Sequence, residues 1–202
     1  MKALPCVATG VANVASVRAA FRRLGRELAP ASAGDVADAP ALVVPGVGHF
    51  GAAMRRLRAH GLVDPLRARL AAGRPTLGIC LGMQLCCEGS EEAPGEPGLA
   101  AVAGTVTRFA PGVRCPQMGW NRVEAPADAR FVEAGHAYFA HSFALARPPA
   151  GFCAATATHD APFVAALERG SLLLCQFHPE LSGAWGEALL ARWLAGAAEA
   201  SC

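Results

Sequence analysis

Thr76-Leu77-Gly78-Ile79-Cys80-Leu81-Gly82-Met83-Gln84 begins as a short apolar run and passes, between two glycines, into a helical pattern. A short apolar run bounded by turn-forming residues predicts a strand buried on both faces, and Leu81 to Cys87 reads as the helix that follows it. The centre, Gly78-Ile79-Cys80-Leu81-Gly82, places a nucleophile between small residues at a strand-to-helix turn, which is the setting of a nucleophile elbow. Small neighbours permit the tight turn. The helix N-terminus favours negative charge on sulfur, and the Leu81 N–H can donate to an oxyanion. Taken alone, the same five residues also fit a buried cysteine between packing glycines.

Two further apolar strands end in residues able to complete a site. Ala41-Leu42-Val43-Val44 runs into Pro45-Gly46-Val47-Gly48, and Leu172-Leu173-Leu174-Cys175-Gln176-Phe177 runs into His178-Pro179-Glu180. Between them lie helical patterns at Phe50 to Leu57, Leu62 to Ala72 and Ala184 to Ala198. Near the N-terminus, Leu4 to Thr9 is a strand candidate, and Asn13 caps a helix continued by Val14, Val17, Ala20, Phe21 and Leu24, with Gly25 at its end. Short apolar strands alternating with helices predict an α/β fold with a mostly parallel sheet covered on both faces. Glu88 to Pro97 reads as a polar loop. Val102 to Phe109, Arg122-Val123, Ala137 to Ala140 and Phe152 to Thr158 read as added antiparallel strands at one edge. No linker divides the chain, so residues 1–202 are expected to form a single domain.

In an open α/β sheet, sites lie beyond the carboxyl ends of the strands, so Cys80, His178 and the Gly46–Gly48 loop are expected to converge. A cysteine nucleophile needs a base, and the base needs an orienting acceptor. His178 can take the thiol proton, and Glu180 can hold the other ring nitrogen. The backbone N–H groups of Val47 and Gly48 can approach an oxyanion beside that of Leu81. The loop lacks the lysine of a phosphate loop and the spacing of a dinucleotide-binding fingerprint. The order Cys…His…Glu differs from the order nucleophile…acid…His of α/β-hydrolases.

Composition bounds the function class. The chain has 202 residues, 53% of them apolar, with 18 Lys and Arg against 16 Asp and Glu, a balance without the charge footprint of a nucleic-acid binder. Eight cysteines show no framework or metal-ligand spacing, so neither disulfides nor a metal centre is expected. The N-terminus lacks the pattern of a secretion signal and no apolar run has the length of a membrane span. A cytoplasmic location is the expectation.

Pro45 to Gly51, Leu77 to Gln84 and Gln176 to Glu180, taken together, resemble the class I, triad-type glutamine amidotransferases. Gly89-Ser90-Glu91-Glu92-Ala93, Pro116 to Asn121 and Tyr138 to Phe143 narrow the resemblance to the glutaminase subunit of imidazole glycerol phosphate synthase. The motifs occur in family order from about residue 10 to residue 195, and the resemblance implies a three-layer, flavodoxin-like α/β sandwich with a central, mostly parallel sheet. The resemblance implies that Cys80 forms a glutamyl thioester, that water releases glutamate, and that the freed ammonia is passed on without any cofactor. It implies that Gly48, Gln84, Glu92, Ser142 and Phe143 bind L-glutamine. It also implies a heterodimer with a (β/α)8-barrel cyclase in histidine biosynthesis, with the glycine-rich oxyanion loop as the switch through which the partner activates the glutaminase. The chain departs from the family pattern at Ala8-Thr9-Gly10 and Ala12-Asn13-Val14, at Gln117 where His is common, and at Leu181 where Lys is usual. Those departures keep open a paralogue that feeds ammonia to another barrel synthase. A non-catalytic regulatory subunit is a further alternative, against which stands the intact set Cys80, His178 and Glu180.

Overall fold

The computed structural model describes residues 3–8 and 14–200. The Asn13 cap and the Thr9-Gly10 and Ala12-Asn13 departures lie outside the described residues. The first half alternates strand and helix: β1 (Leu4–Cys6), α1 (Val14–Arg23), β2 (Leu28–Pro30), α2 (Ala33–Asp38), β3 (Leu42–Val44), α3 (Phe50–Ala59), α4 (Val63–Ala71), β4 (Thr76–Ile79) and α5 (Leu81–Leu85). Strands then dominate: β5 (Cys87–Ser90), β6 (Val102–Arg108), β7 (Gln117–Val123), β8 (Gly135–His141), β9 (Phe143–Ala144), β10 (Cys153–His159), β11 (Ala161–Arg169) and β12 (Leu172–Cys175). Helix α6 (Gly183–Glu199) follows a 3-10 turn at Pro179–Leu181.

Among the described residues the main sheet has the order β10-β11-β12-β4-β3-β1-β2. The five strands from β12 to β2 run parallel, and β11 and β10 extend the β12 edge antiparallel. The expected mostly parallel sheet with antiparallel edge strands matches this order, but of the segments read as edge strands only β10 lies at this edge, whereas β6, β7 and β8 pair in separate sheets. Strands β5, β6 and β9 form a small second sheet, and β7 pairs β8 in a two-stranded ribbon.

The period of two in a strand sends successive side chains to opposite faces, which explains why the central strands are apolar throughout. Val43, Leu77, Ile79, Leu173 and Cys175 join one core with Val17 and Phe21 of α1 and Leu189, Leu190 and Trp193 of α6. Leu42, Val44, Leu172 and Leu174 join the other with Met54 and Leu57 of α3, Leu66 and Leu70 of α4, and Leu81 and Leu85 of α5. Three layers result, with α1 and α6 on one side and α2 to α5 on the other. The wholly buried Trp193 keeps its indole N–H satisfied by the Ser171 carbonyl at 3.1 Å. Arg69, also buried, spreads its donors over Thr76 and the carbonyls of Val36, Ala39 and Pro75, tying α4 to α2 and β4.

Several elements differ from the sequence expectation. Helix α5 stops at Leu85, and β5 starts at Cys87, read as the end of that helix, and runs through Ser90 into the stretch read as a loop. Strand β7 begins at Gln117 rather than Arg122, and β11 occupies a segment assigned no strand. Both β2 and α2 were absent from the expectation. Helix α2 is short but holds a full capping box, in which Ser32 and Asp35 satisfy each other's backbone N–H.

Candidate active site

Cys80 sits at the carboxyl end of β4 with φ 50 and ψ −107. A β-substituted residue pays about 1–3 kcal/mol to hold such a backbone, and close packing enforces it here. A Cβ on Gly82 would lie 1.9 Å from the Val44 carbonyl oxygen, and one on Gly46 would lie 2.4 Å from the Leu81 Cβ. Strand β3, the Gly46 loop and the first turn of α5 therefore touch backbone to backbone. The Cys80 N–H donates to the Cys175 carbonyl of β12 at 2.6 Å, which fixes the elbow against the strand that delivers the histidine.

His178 follows β12 by three residues. Its backbone N–H donates to Tyr138 O at 2.8 Å, while Ser182 Oγ donates to His178 O at 2.6 Å and accepts from Tyr138 N at 3.0 Å. This clamp joins β8 to the turn that carries Glu180. His178 Nδ1 lies 2.8 Å from Glu180 Oε1, with both side chains 3% exposed. The carboxylate accepts, so Nδ1 donates and the opposite ring nitrogen is left for the Cys80 thiol. Burial alone pushes the imidazolium down. Hydrogen bonds to Cys80 and Glu180, with their charges, outweigh it and raise the His178 pKa to about 10. The structure thus brings Cys80, His178 and Glu180 together as the sequence expects. Glu180 Oε2 is buried without a hydrogen-bond partner among the described residues.

The oxyanion set is arranged differently from the expectation. The Leu81 N–H is spent on the Gly46 carbonyl at 3.3 Å. A trans peptide is planar with its C=O and N–H opposed, so the Val47 N–H of that same peptide points away from the elbow. Val47 and Gly48 stand exposed at the end of β3. Gly46 brings Val47 beside Leu81, but the orientation of the Gly46–Val47 peptide keeps the N–H groups of Leu81 and Val47 from acting together.

Of the expected glutamine-binding residues, Gln84 is buried and donates through Nε2 to Phe143 O at 2.9 Å and to Gln176 Oε1 at 3.0 Å. Ser142 and Phe143 are half-buried on the segment after Ala140, whose carbonyl lies 3.9 Å from Cys80 Sγ. Glu92 Oε2 accepts from the Phe50 N–H at 2.6 Å, beside the Gly48 loop and at the N-terminus of α3. Sequence reading assigned no role to Gln176 or His141. Gln176 Nε2 lies 3.6 Å from Cys80 Sγ, and the signal for it was a lone polar residue within the apolar run Leu172 to Phe177. His141 donates from Nδ1 to Phe143 O at 2.9 Å.

No group of three or more His, Cys, Asp or Glu that could hold a metal occurs among the described residues. No described helix is long and apolar enough to cross a membrane.

The strained elbow cysteine, the strand-end histidine and its carboxylate, set on a three-layer α/β sheet, define the class of the glutamine amidotransferases, and residues 26–195 match the family Glutamine amidotransferase class-I. A solved structure described as a glutamine amidotransferase superposes with a TM-score of 0.77 at 23% identity, covering 96% of this chain and 99% of the other, which supports the fold. Imidazole glycerol phosphate synthase subunit HisH of Deinococcus radiodurans is 45% identical over 191 residues, covering 91% of this chain and 89% of that protein. The HisH subunit of Symbiobacterium thermophilum is 42% identical over 192 residues, with 91% and 89% covered. The chain belongs to the class-I glutamine amidotransferase family and, within it, to the imidazole glycerol phosphate synthase subunits HisH.

Proposed function

We propose that this chain hydrolyses L-glutamine to glutamate and ammonia as the glutaminase subunit of imidazole glycerol phosphate synthase, with residues 1–202 acting as one amidotransferase domain in the cytoplasm. The observation that carries the reading is the hydrogen-bonded pair His178–Glu180 at the end of β12, beside Cys80 on a strained strand-to-helix turn. His178 takes the Cys80 proton, and the thiolate attacks the side-chain carbonyl of glutamine. The imidazolium then protonates the departing ammonia. In the second half His178 removes a proton from water, which cleaves the thioester and releases glutamate. Glu180 keeps the ring oriented and balances its charge. Glu92 offers a carboxylate to the substrate ammonium. Gly48, Gln84, Ser142 and Phe143 hold the rest of the amino-acid head.

The Leu81–Gly46 hydrogen bond supports a low basal rate. Turning the Gly46–Val47 peptide would release the Leu81 N–H and swing the Val47 N–H toward the substrate oxygen, and Gly48 makes that loop easy to turn. A docking face adjoins the triad. Met118 and Trp120 project from the same side of β7 at 68% and 59% exposure, and Trp120 packs edge-on against Tyr138, whose carbonyl holds His178. Leu181, also exposed, follows Glu180 directly. An apolar surface of this kind suits a protein partner, and the (β/α)8-barrel cyclase subunit is the partner we assign. Exposed Leu181 in place of the usual Lys is the observation that favours a second reading, a different barrel synthase as recipient.

The test is glutamine hydrolysis by the purified chain with and without the cyclase and its nucleotide ligand. Strong activation by the cyclase is expected. Hydrolysis indifferent to the cyclase would move the chain to another synthase.

A further inference from the structure

Gln176 is wholly buried at the end of β12, and its side chain has two polar neighbours: Cys80 Sγ at 3.6 Å from Nε2, and Gln84 Nε2 at 3.0 Å from Oε1. Amide oxygen and nitrogen are assigned from their partners, and here the assignment follows from a backbone group. Phe143 O is an acceptor whatever the side chains do, so Gln84 must turn its NH2 toward it. The same NH2 then faces Gln176, which must answer with its oxygen. The Gln176 NH2 is left aimed at the sulfur. Reversing either amide would set donor against donor or oxygen against oxygen at buried side chains. His141 makes the anchor firmer by donating to the same Phe143 carbonyl at 2.9 Å.

We infer that Gln176 is a further catalytic residue, donating an N–H to the Cys80 sulfur and, through Gln84, tying the nucleophile to the Phe143 segment that receives the glutamine head. This rests on the assignment of Cys80 as nucleophile. A hydrogen bond to a thiolate is charge-assisted and stronger than one to the neutral sulfur of a thioester. The amide therefore acts at both ends of the cycle. It raises the fraction of Cys80 that is ionised when His178 takes the proton. It also stabilises the sulfur as a leaving group when water breaks the C–S bond and the electron pair returns to sulfur. No proton passes through Gln176, so its amide is unchanged over a turnover.

The experiment compares wild type with Gln176→Met, which keeps length and volume but removes the donor. Alkylation of Cys80 by iodoacetamide is followed against pH, read at the Cys80 peptide by mass spectrometry because Cys115 and Cys153 are also accessible. The midpoint of the rate–pH curve is expected to rise by about one pH unit, and kcat for glutamine to fall about tenfold with KM changed less. A second variant, Gln84→Met, frees the Gln176 amide to rotate and is expected to move the midpoint in the same direction by less. An unmoved midpoint in folded Gln176→Met overturns the inference. Should that variant not fold, an unmoved midpoint in Gln84→Met does so. His178→Ala separates the two levels. If it too leaves the midpoint in place, the triad assignment has failed, whereas a shift confined to His178→Ala rejects the role of Gln176 alone.

Discussion

Replacing His141 with Asn should remove a large part of the protein's acid lability. His141 is 6% exposed and is ringed by Phe109, Phe139 and Phe163. Its Nδ1 donates to Phe143 O, while Nε2 is buried without a partner among the described residues. Burial disfavours the imidazolium and, with nearby His159 and His178, outweighs the help of the Phe143 carbonyl, lowering the pKa from 6.5 to about 4. Above pH 6.5 the ring is neutral in both folded and unfolded chains, so it adds no pH dependence. Between 6.5 and about 4 the unfolded chain binds a proton that the folded chain does not, so stability falls as the pH falls. At 1.36 kcal/mol per pH unit the full loss is roughly 3 kcal/mol. Asn can present its amide N–H where Nδ1 stands, and it does not titrate. The assay is urea unfolding of wild type and His141→Asn from pH 7.5 down to pH 4. Every other titrating group is common to both proteins, so the difference in stability should shift toward the variant by about 3 kcal/mol across that range. Parallel curves would refute the claim that His141 is held neutral by burial.

The remaining predictions concern the site and its surroundings. Glu180→Gln keeps an acceptor near His178 Nδ1 but loses the charge, so kcat/KM for glutamine should fall by about 10- to 100-fold, less than the roughly 1000-fold or greater loss in His178→Ala. Steady-state kinetics of both variants with the partner present checks the order, and the reverse order would contradict the assigned roles. Gly82→Ala drives a Cβ into the Val44 carbonyl oxygen at 1.9 Å. It should cost about 3 kcal/mol, because backbone rather than a flexible side chain must yield, and denaturant unfolding measures it. Trp120→Ala should leave unfolding within about 0.5 kcal/mol of wild type, since the ring is largely exposed. It should also weaken binding to the cyclase by at least tenfold in calorimetry.

How far the sequence revealed this molecule depends on which forces carry each part. Strands β3, β4 and β12 are sandwiched between helices and must be apolar on both faces, so Leu42-Val43-Val44 and Leu172-Leu173-Leu174-Cys175 announced themselves. Strand β2 offers three residues ending in Pro30, and nothing local separates it from a loop. Its parallel register to β1 supplies the order. Strand β11 carries Pro162 near its start, a residue that speaks against a strand. It survives there because β12 pairs with β11 only from Ala166 onward, so the Pro162 end of the strand lies outside that ladder. The convergence of Cys80, His178 and Glu180 was legible because each stands at the end of a predicted strand. The Gln176–Gln84–Phe143 network was not, since a buried glutamine does not declare its partners. Nor could any residue pattern reveal that the Gly46 carbonyl, rather than the Val47 N–H, faces Leu81. That is the orientation of one peptide plane, open to either state in a loop bounded by glycines.

The most direct test of the central claim uses Cys80→Ala in complex with the cyclase, supplied in turn with glutamine and with ammonium salt. Glutamine-dependent synthesis should vanish while ammonium-dependent synthesis continues at the wild-type rate. Synthesis from glutamine that persists without the Cys80 thiol would contradict the account.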